Sequence, residues 1–307
     1  MTSLFENLHW HRLELAGHAA TSKLELHYGE VGQDGPLATL VAGVHGDEGP
    51  WGALAIQKLL ERPLSCLTGR LRIILAANPL AAEANSRNAP LDVLDLNRTF
   101  PGDTRGSHTE RLAAELAQVI DGSDLVIDLH GGGSWCVNAF TFAFAGFELL
   151  AELVGAPFIL TAPDKQGTLS HYASAQGAKV VAIEMGGCSA EEMHWRTRIA
   201  RGLERILVHE GMLELATSPP PSSLKVGSSQ VMRPRSGGIF VPSLRKDAVG
   251  TVVARGRELG KLLDLYTLTE RELFTAPYDQ TALLLLRPHV AVLEGGAMTY
   301  VVAEVSS

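Results

Sequence analysis

The chain has 307 residues, 46% hydrophobic and 20% charged, a globular composition with a full core and room for one large and one small domain. A formal charge of -8 argues against a nucleic-acid or anionic-membrane surface, since either needs a basic patch, and leaves a small molecule as the expected partner. The three cysteines, Cys66, Cys136 and Cys188, lack paired spacing and are expected to be reduced and buried, not part of a disulfide framework.

Residues 1–12 contain Glu6 and no apolar core of signal-peptide length, so a cytoplasmic protein is expected and the Asn97-Arg98-Thr99 sequon carries no meaning. Leu37 to Val44 is an apolar run that predicts a strand. Pro50 then opens a helix in which Trp51, Leu54, Ala55 and Leu59 recur at helical spacing. Leu71 to Ala76 is the next strand. After a long polar loop, Ser107 and Glu110 have capping-box spacing ahead of Leu112, Ala113, Leu116 and Val119, which share one helical face.

Leu125 to Leu129 predicts another strand. The most apolar stretch, Val137 to Ala162, alternates Phe140, Phe142 and Phe144 and is interrupted by Glu148 and Glu152, so it is expected to form a strand and a core helix, not a membrane span. Phe158 to Leu160 and Val180 to Glu184 are further strands, and a helix over Ala190 to Glu210 closes the region. Continuous apolar strands alternating with helices predict an α/β fold, a mostly parallel or mixed sheet with helices on both faces. The segment Ser218-Pro219-Pro220-Pro221-Ser222-Ser223 is a linker by composition. Beyond it, short runs such as Gly250 to Val253 and Ala282 to Leu286 between glycines predict a small all-β domain. The expected division is 1–217, a linker at 218–223, and 224–307.

Chemistry concentrates where strands end. His45 and Glu48 follow the first apolar run directly, and an imidazole and a carboxylate three residues apart at a chain reversal can both turn onto one metal ion. A catalytic zinc needs three such protein donors plus an open position for water. The best third donor is His130, which ends a second apolar run ahead of Gly131-Gly132-Gly133. A lone histidine at a strand end is more often a hydrogen-bonded core residue, but two such ends together favour metal. His45, Asn78, His130 and Glu184 all lie at or just beyond the C-terminal ends of predicted strands, where open α/β sheets bind ligands. No Gly-x-Ser-x-Gly elbow is present, and Gly256 to Lys261 lacks phosphate-loop spacing.

The motifs His45-Gly46-Asp47-Glu48, Asn78-Pro79, Leu96 to Gly102, Asp128-Leu129-His130-Gly131-Gly132 and Ile183-Glu184-Met185-Gly186-Gly187 occur in an order that resembles the succinylglutamate desuccinylase and aspartoacylase family. The resemblance implies a zinc carboxypeptidase-like fold with an accompanying β-domain, one Zn2+ per chain, and hydrolysis of the amide of a small N-acyl amino acid. It implies His45, Glu48 and His130 as zinc ligands and Glu184 as the catalytic carboxylate. It further implies Arg87 as the group that polarises the scissile carbonyl, and Asn97 with Arg98 as the pair that holds the substrate carboxylate. Asp128, two residues before His130, is expected to support that histidine if the strand curves.

Segment 167–176 has no arginine where aspartoacylase-like members read a second substrate carboxylate. That departure puts an N-acetylaspartate or succinylglutamate substrate in question and makes a monocarboxylate such as an N-acetylated diamino acid equally compatible. His9, His11, His171 and His194 receive no role, and Tyr172 has no motif match. A metallocarboxypeptidase, an inactive small-molecule-binding relative, and assembly as a homo-oligomer all stay open.

Overall fold

The computed structural model describes residues 2–15, 24–187 and 193–306. Strands β1 (His9–Glu14) and β2 (Glu25–Gly32) precede β3 (Leu37–Ala42), helix α1 (Gly49–Leu60), β4 (Arg70–Ile74) and the short α2 (Pro79–Glu83). Next come α3 (His108–Ile120), β5 (Leu125–His130), β6 (Val137–Ala143), α4 (Glu148–Val154) and β7 (Phe158–Thr161). Then follow α5 (Leu169–Ala175), β8 (Lys179–Gly186) and α6 (Met193–His209). The rest is β9 (Leu224–Met232), β10 (Gly238–Pro242), β11 (Val252–Ala254), β12 (Glu258–Leu263), β13 (Glu270–Thr275), β14 (Gln280–Leu286), β15 (Ala291–Leu293) and β16 (Tyr300–Val305).

β4, β3, β5 and β8 run parallel at the centre of the sheet. Every residue of β3 and of β5 is buried, as expected for strands covered on both faces. One face packs α1, α4 and α6 through residues such as Ile56, Leu59, Leu150, Ile199 and Leu203, while α3 and α5 cover the other through Leu112, Leu116, Leu169 and Ala173. The capping box forms as expected: the Ser107 hydroxyl accepts from the Glu110 backbone N–H, and the Glu110 carboxylate accepts from that of Ser107.

The chain moves from β3 to β4 on one side and returns to β5 on the other. The C-terminal ends of β3 and β5 therefore flank a topological switch point, the crevice in which such sheets take ligands.

The expected all-β tail differs in its pairing. Its strands are there, but β9, β11, β14 and β16 belong to the same twelve-stranded sheet as β3 and β5, and only β10, β12, β13 and β15 form a separate four-stranded sheet. β7 accepts β9 in parallel, and β14 pairs back onto the start of β6 at Val137 and Asn138, which closes β6, β7, β9, β16 and β14 into a barrel-like ring. Alternating runs reveal that a segment is a strand but not its partner, so this closure had no local signal. The start of the expected 190–210 helix and Cys188 lie outside the described residues. Cys136 is buried as expected, and Cys66 only partly so. Among the described residues no helix is long and apolar enough to cross a membrane.

Candidate metal centre

The loop from β3 to α1 is shaped by close contact with its neighbours. Gly43 takes φ +72, which turns the chain off the strand end. Gly46 lies so near α2 that a Cβ on it would stand 2.0 Å from the Ala81 carbonyl carbon. His45 and Glu48, the latter preceding the first residue of α1, are thereby turned back over the ends of β3 and β5.

His45 Nδ1 lies 3.0 Å and His130 Nδ1 3.1 Å from Glu48 Oε2, and one donor atom from each of these three buried residues falls within 4.8 Å of the others. His45 Nδ1 is fully buried and makes no hydrogen bond despite that proximity. A buried imidazole nitrogen without a hydrogen-bond partner, aimed at a carboxylate and a second imidazole, is what a metal-binding donor set requires. The opposite ring nitrogens also meet acids: His45 Nε2 is 3.1 Å from Asp95 Oδ1, and His130 Nε2 is 2.9 Å from Asp128 Oδ1. Carboxylates behind ligand histidines fix the ring orientation and raise basicity. The residues fit a zinc ion.

Asp128 needs no strand curvature to do this, which corrects the expectation. Residues two apart on a strand share a face, so Asp128 and His130 both point to the site. Ser170 on α5 donates a 2.7 Å hydrogen bond to the other Asp128 oxygen.

Electrostatics favour a cation. Burial alone would push His45 and His130 down, but Glu48 and Asp95 beside the first, and Asp128 and Glu48 beside the second, hold both above the ordinary histidine value. Burial would raise Glu48 and Asp95, yet the histidines, with Arg87 beside Asp95, hold both carboxyls well below the usual range.

Arg87 donates to Glu48 Oε1 and to Asp95 Oδ2, each at 3.0 Å. The pairing ties the loop after α2 to the donor set and leaves further guanidinium N–H groups unused by these two bonds.

Asn97 and Arg98 sit in a 3-10 turn, Leu96–Arg98, capped by Asp95 Oδ1 on the Asn97 N–H. The Asn97 side chain accepts from the Leu169 N–H at 2.9 Å and places its amide nitrogen 3.5 Å from His130 Nε2. Arg98 is exposed and donates to the Asn97 carbonyl.

Glu184 on β8 is the register partner of His130 on β5. Its Oε2 accepts from Asn138 Nδ2 of β6 at 2.8 Å. Burial pushes its carboxyl up to about 7, against the pull of His130; Glu48 adds to the rise, and Asn138 and His45 oppose it. Asn97, Arg98, His130, Phe142, Lys165 and Glu184 face a cavity of about 200 Å3. A larger hollow of about 730 Å3, between α6 and residues 218–221, shares no lining residue with this cavity, and among the described residues no carboxylate lines it.

Three of the four strand-end residues thus converge. Asn78 does not: it is fully buried and caps α2, accepting from the Ala81 N–H. Tyr172 donates to Asp121 instead of facing the cavity. Asp95, Asn138 and Lys165 were not foreseen. Only Asp95 had a signal, its place directly before Leu96-Asn97-Arg98.

Residues 34–209 match the model of the succinylglutamate desuccinylase/aspartoacylase catalytic domain. An N-alpha-acetyl-L-2,4-diaminobutyric acid deacetylase of Halomonas elongata is 34% identical over 197 residues, 59% of this chain and 56% of that protein, so the match spans little more than half of that relative's length. Among solved structures, a succinylglutamate desuccinylase from Silicibacter sp. TM1040 superposes with a TM-score of 0.84 at 22% identity, covering 97% of this chain and 95% of that one. The product-bound ectoine utilization protein EutE (DoeB) of Ruegeria pomeroyi gives 0.83 at 23% identity, covering 95% and 93%. With more than half of its length matched by the family model, the chain belongs to the succinylglutamate desuccinylase/aspartoacylase family.

Proposed function

We propose that the chain is a zinc-dependent hydrolase that removes the acyl group from the nitrogen of an N-acyl amino acid. The observation that carries this is the convergence of the His45, Glu48 and His130 donors with Glu184 at one switch point. Held by those three residues, zinc would supply Lewis acidity and lower the pKa of water.

Glu184 is the proton carrier. Its carboxylate takes a proton from the attacking water as the new carbon–oxygen bond forms, holds it, and passes it to the amide nitrogen as the carbon–nitrogen bond breaks, leaving a carboxylic acid and an amine. An ordinary carboxylate is too weak a base for this. Burial raises Glu184 into the range where it both accepts and returns a proton near neutral pH. Arg87 retains N–H groups to polarise the scissile carbonyl. Asn97 and Arg98 hold the substrate carboxylate, a planar guanidinium being suited to both oxygens.

The test joins metal analysis to a screen of N-acetyl, N-succinyl and N-formyl amino acids, read as amine release. The purified chain should hold about one zinc, and His130→Ala should lose it. Glu184→Gln should keep the metal while kcat falls by at least about 10²-fold. Equal metal in wild type and His130→Ala, or near-normal turnover by Glu184→Gln, sinks the assignment.

A further inference from the structure

We infer that the arginine-lined hollow between α6 and residues 218–221 binds a small organic phosphate, at a site apart from the metal centre. The hollow encloses about 730 Å3, a volume usual for a small-molecule pocket, and none of its lining residues belongs to the cavity at Glu184.

Its charge comes from one stripe of α6. His194, Arg198, Arg201 and Arg205 follow at spacings of four, three and four, which a helix brings to one face, and all four line the hollow. Two of the guanidinium groups are fixed by the neighbouring helix. Gly155 ends α4 in the left-handed region at φ +71, and the last carbonyls of α4 are left without helical partners. Arg198 Nε donates to the Gly155 carbonyl at 2.7 Å, while Arg205 donates from Nε to the Leu153 carbonyl at 2.7 Å and from Nη2 to that of Val154 at 2.8 Å. The Arg198 guanidinium carbon also lies 6.0 Å from the centroid of the Trp195 ring.

Capping α4 does not exhaust these donors. Both terminal amino groups of Arg198 and one of Arg205 are unused by these bonds, and Arg201 is exposed with no hydrogen bond or ion pair among the described residues. Among those residues no carboxylate lines the hollow, and Glu204, next to Arg205, turns to Arg62 at 2.6 Å. Burial pushes the Arg198 and Arg205 guanidinium groups down from their ordinary value; at Arg205 the nearby Arg201 adds to the fall, Glu204 opposes it, and Arg198 adds again. Three cations held close on a chain of charge -8 repel one another, and an anion between them removes that repulsion.

A phosphate monoester fits better than a carboxylate. Near neutral pH it carries close to two charges and offers three strong acceptor oxygens, and each guanidinium fork can take two oxygens at once. The organic part has apolar surface to meet. Met193, which is exposed at the start of α6, and Pro219 and Pro221 line the same hollow. The proline segment acts as a fixed wall: a Cβ on Gly155 would stand 2.7 Å from Pro221 Cδ and 2.9 Å from Arg205 Nη2, and Ser223 Oγ donates to the Ala156 carbonyl at 2.5 Å.

The experiment titrates inorganic phosphate and phenyl phosphate by calorimetry into zinc-loaded wild type, zinc-stripped wild type, Arg201→Gln and Arg201→Glu. Wild type should bind phenyl phosphate at least about 4-fold more tightly than inorganic phosphate, the worth of one buried methylene, and added salt should weaken both. Arg201→Gln should weaken phenyl phosphate by about 5- to 10-fold, the size of one partly exposed charge-assisted contact, and Arg201→Glu should abolish its binding. Both variants should keep the wild-type Tm and zinc content, since Arg201 is exposed and caps nothing. Zinc-stripped wild type should bind phenyl phosphate as the loaded protein does. Binding that survives Arg201→Glu, or that requires zinc, puts the phosphate elsewhere and overturns the site, as does a wild type that binds neither compound at millimolar concentration. Equal affinity for the two compounds overturns the organic phosphate as the occupant.

Discussion

Each histidine of the candidate donor set is held by an acid of different legibility. His130 and Asp128 are two positions apart on one strand, so their partnership can be read from the sequence once strand periodicity is applied. Asp95 is fifty residues from His45 and reaches it only because its Oδ1 also caps the turn that begins at Leu96. No pattern of residue types encodes that crossing. Asp95→Asn keeps an oxygen to cap the turn but removes the charge behind His45, so zinc affinity should fall about 10- to 100-fold in a chelator competition with the fold unchanged. Unaltered affinity would make Asp95 a turn residue only. Asn138 offers a second test, with a defined sign. Its N–H bonds the ionised form of Glu184 and so lowers a carboxyl that burial has raised to about 7. In the proposed role Glu184 works when ionised, so activity should be lost as pH falls through its pKa. Removing the bond in Asn138→Ala raises that pKa, and the acid limb of the kcat/KM profile should move to higher pH, by up to about one unit. A limb that stays in place, or moves to lower pH, excludes this role.

At the scale of elements, apolar runs located β3, β5 and β8, and the capping box located α3, because burial and capping leave local marks. What no such mark conveys is how tightly the β3–α1 loop is pressed against α2. Gly46 meets the backbone of Ala81 and Ala82, which cannot swing aside as a flexible side chain would. Gly46→Ala must therefore push α2 away from the loop that carries His45 and Glu48. The expected cost is about 1 to 3 kcal/mol, seen as a lower Tm, together with weaker metal binding. Gly227 on β9 is the control, since a Cβ there comes no nearer than 3.9 Å to another atom, and Gly227→Ala should change neither. If the two variants have equal Tm and metal content, the close approach at Gly46 is not what shapes the site.

For the molecule as a whole, the linker composition at 218–223 and the turn-rich tail point to two separable units, whereas the strand pairing points the other way. β9 continues the sheet from β7, β14 returns to β6, and the ring they close encloses a shared cluster. Phe140, Phe158 and Leu160 from before the linker pack there with Val226, Ala282, Leu284 and Ala303 from after it. β6 is also the strand that supplies Asn138 to Glu184 and Phe142 to the cavity, so loss of the tail would leave a wall of the site with an unpaired edge. A fragment of residues 1–217 would expose two phenylalanines and a leucine, each worth roughly 1.5 to 3 kcal/mol of burial, together with the open edge of β7. That loss is comparable to the stability of a typical domain. The fragment should aggregate, or unfold without a cooperative transition, while the full chain melts with its metal loss and its loss of secondary structure coincident. A soluble 1–217 fragment that binds zinc and unfolds cooperatively would show that the tail is an appendage, and that the ring closed by β14 adds nothing the catalytic strands need.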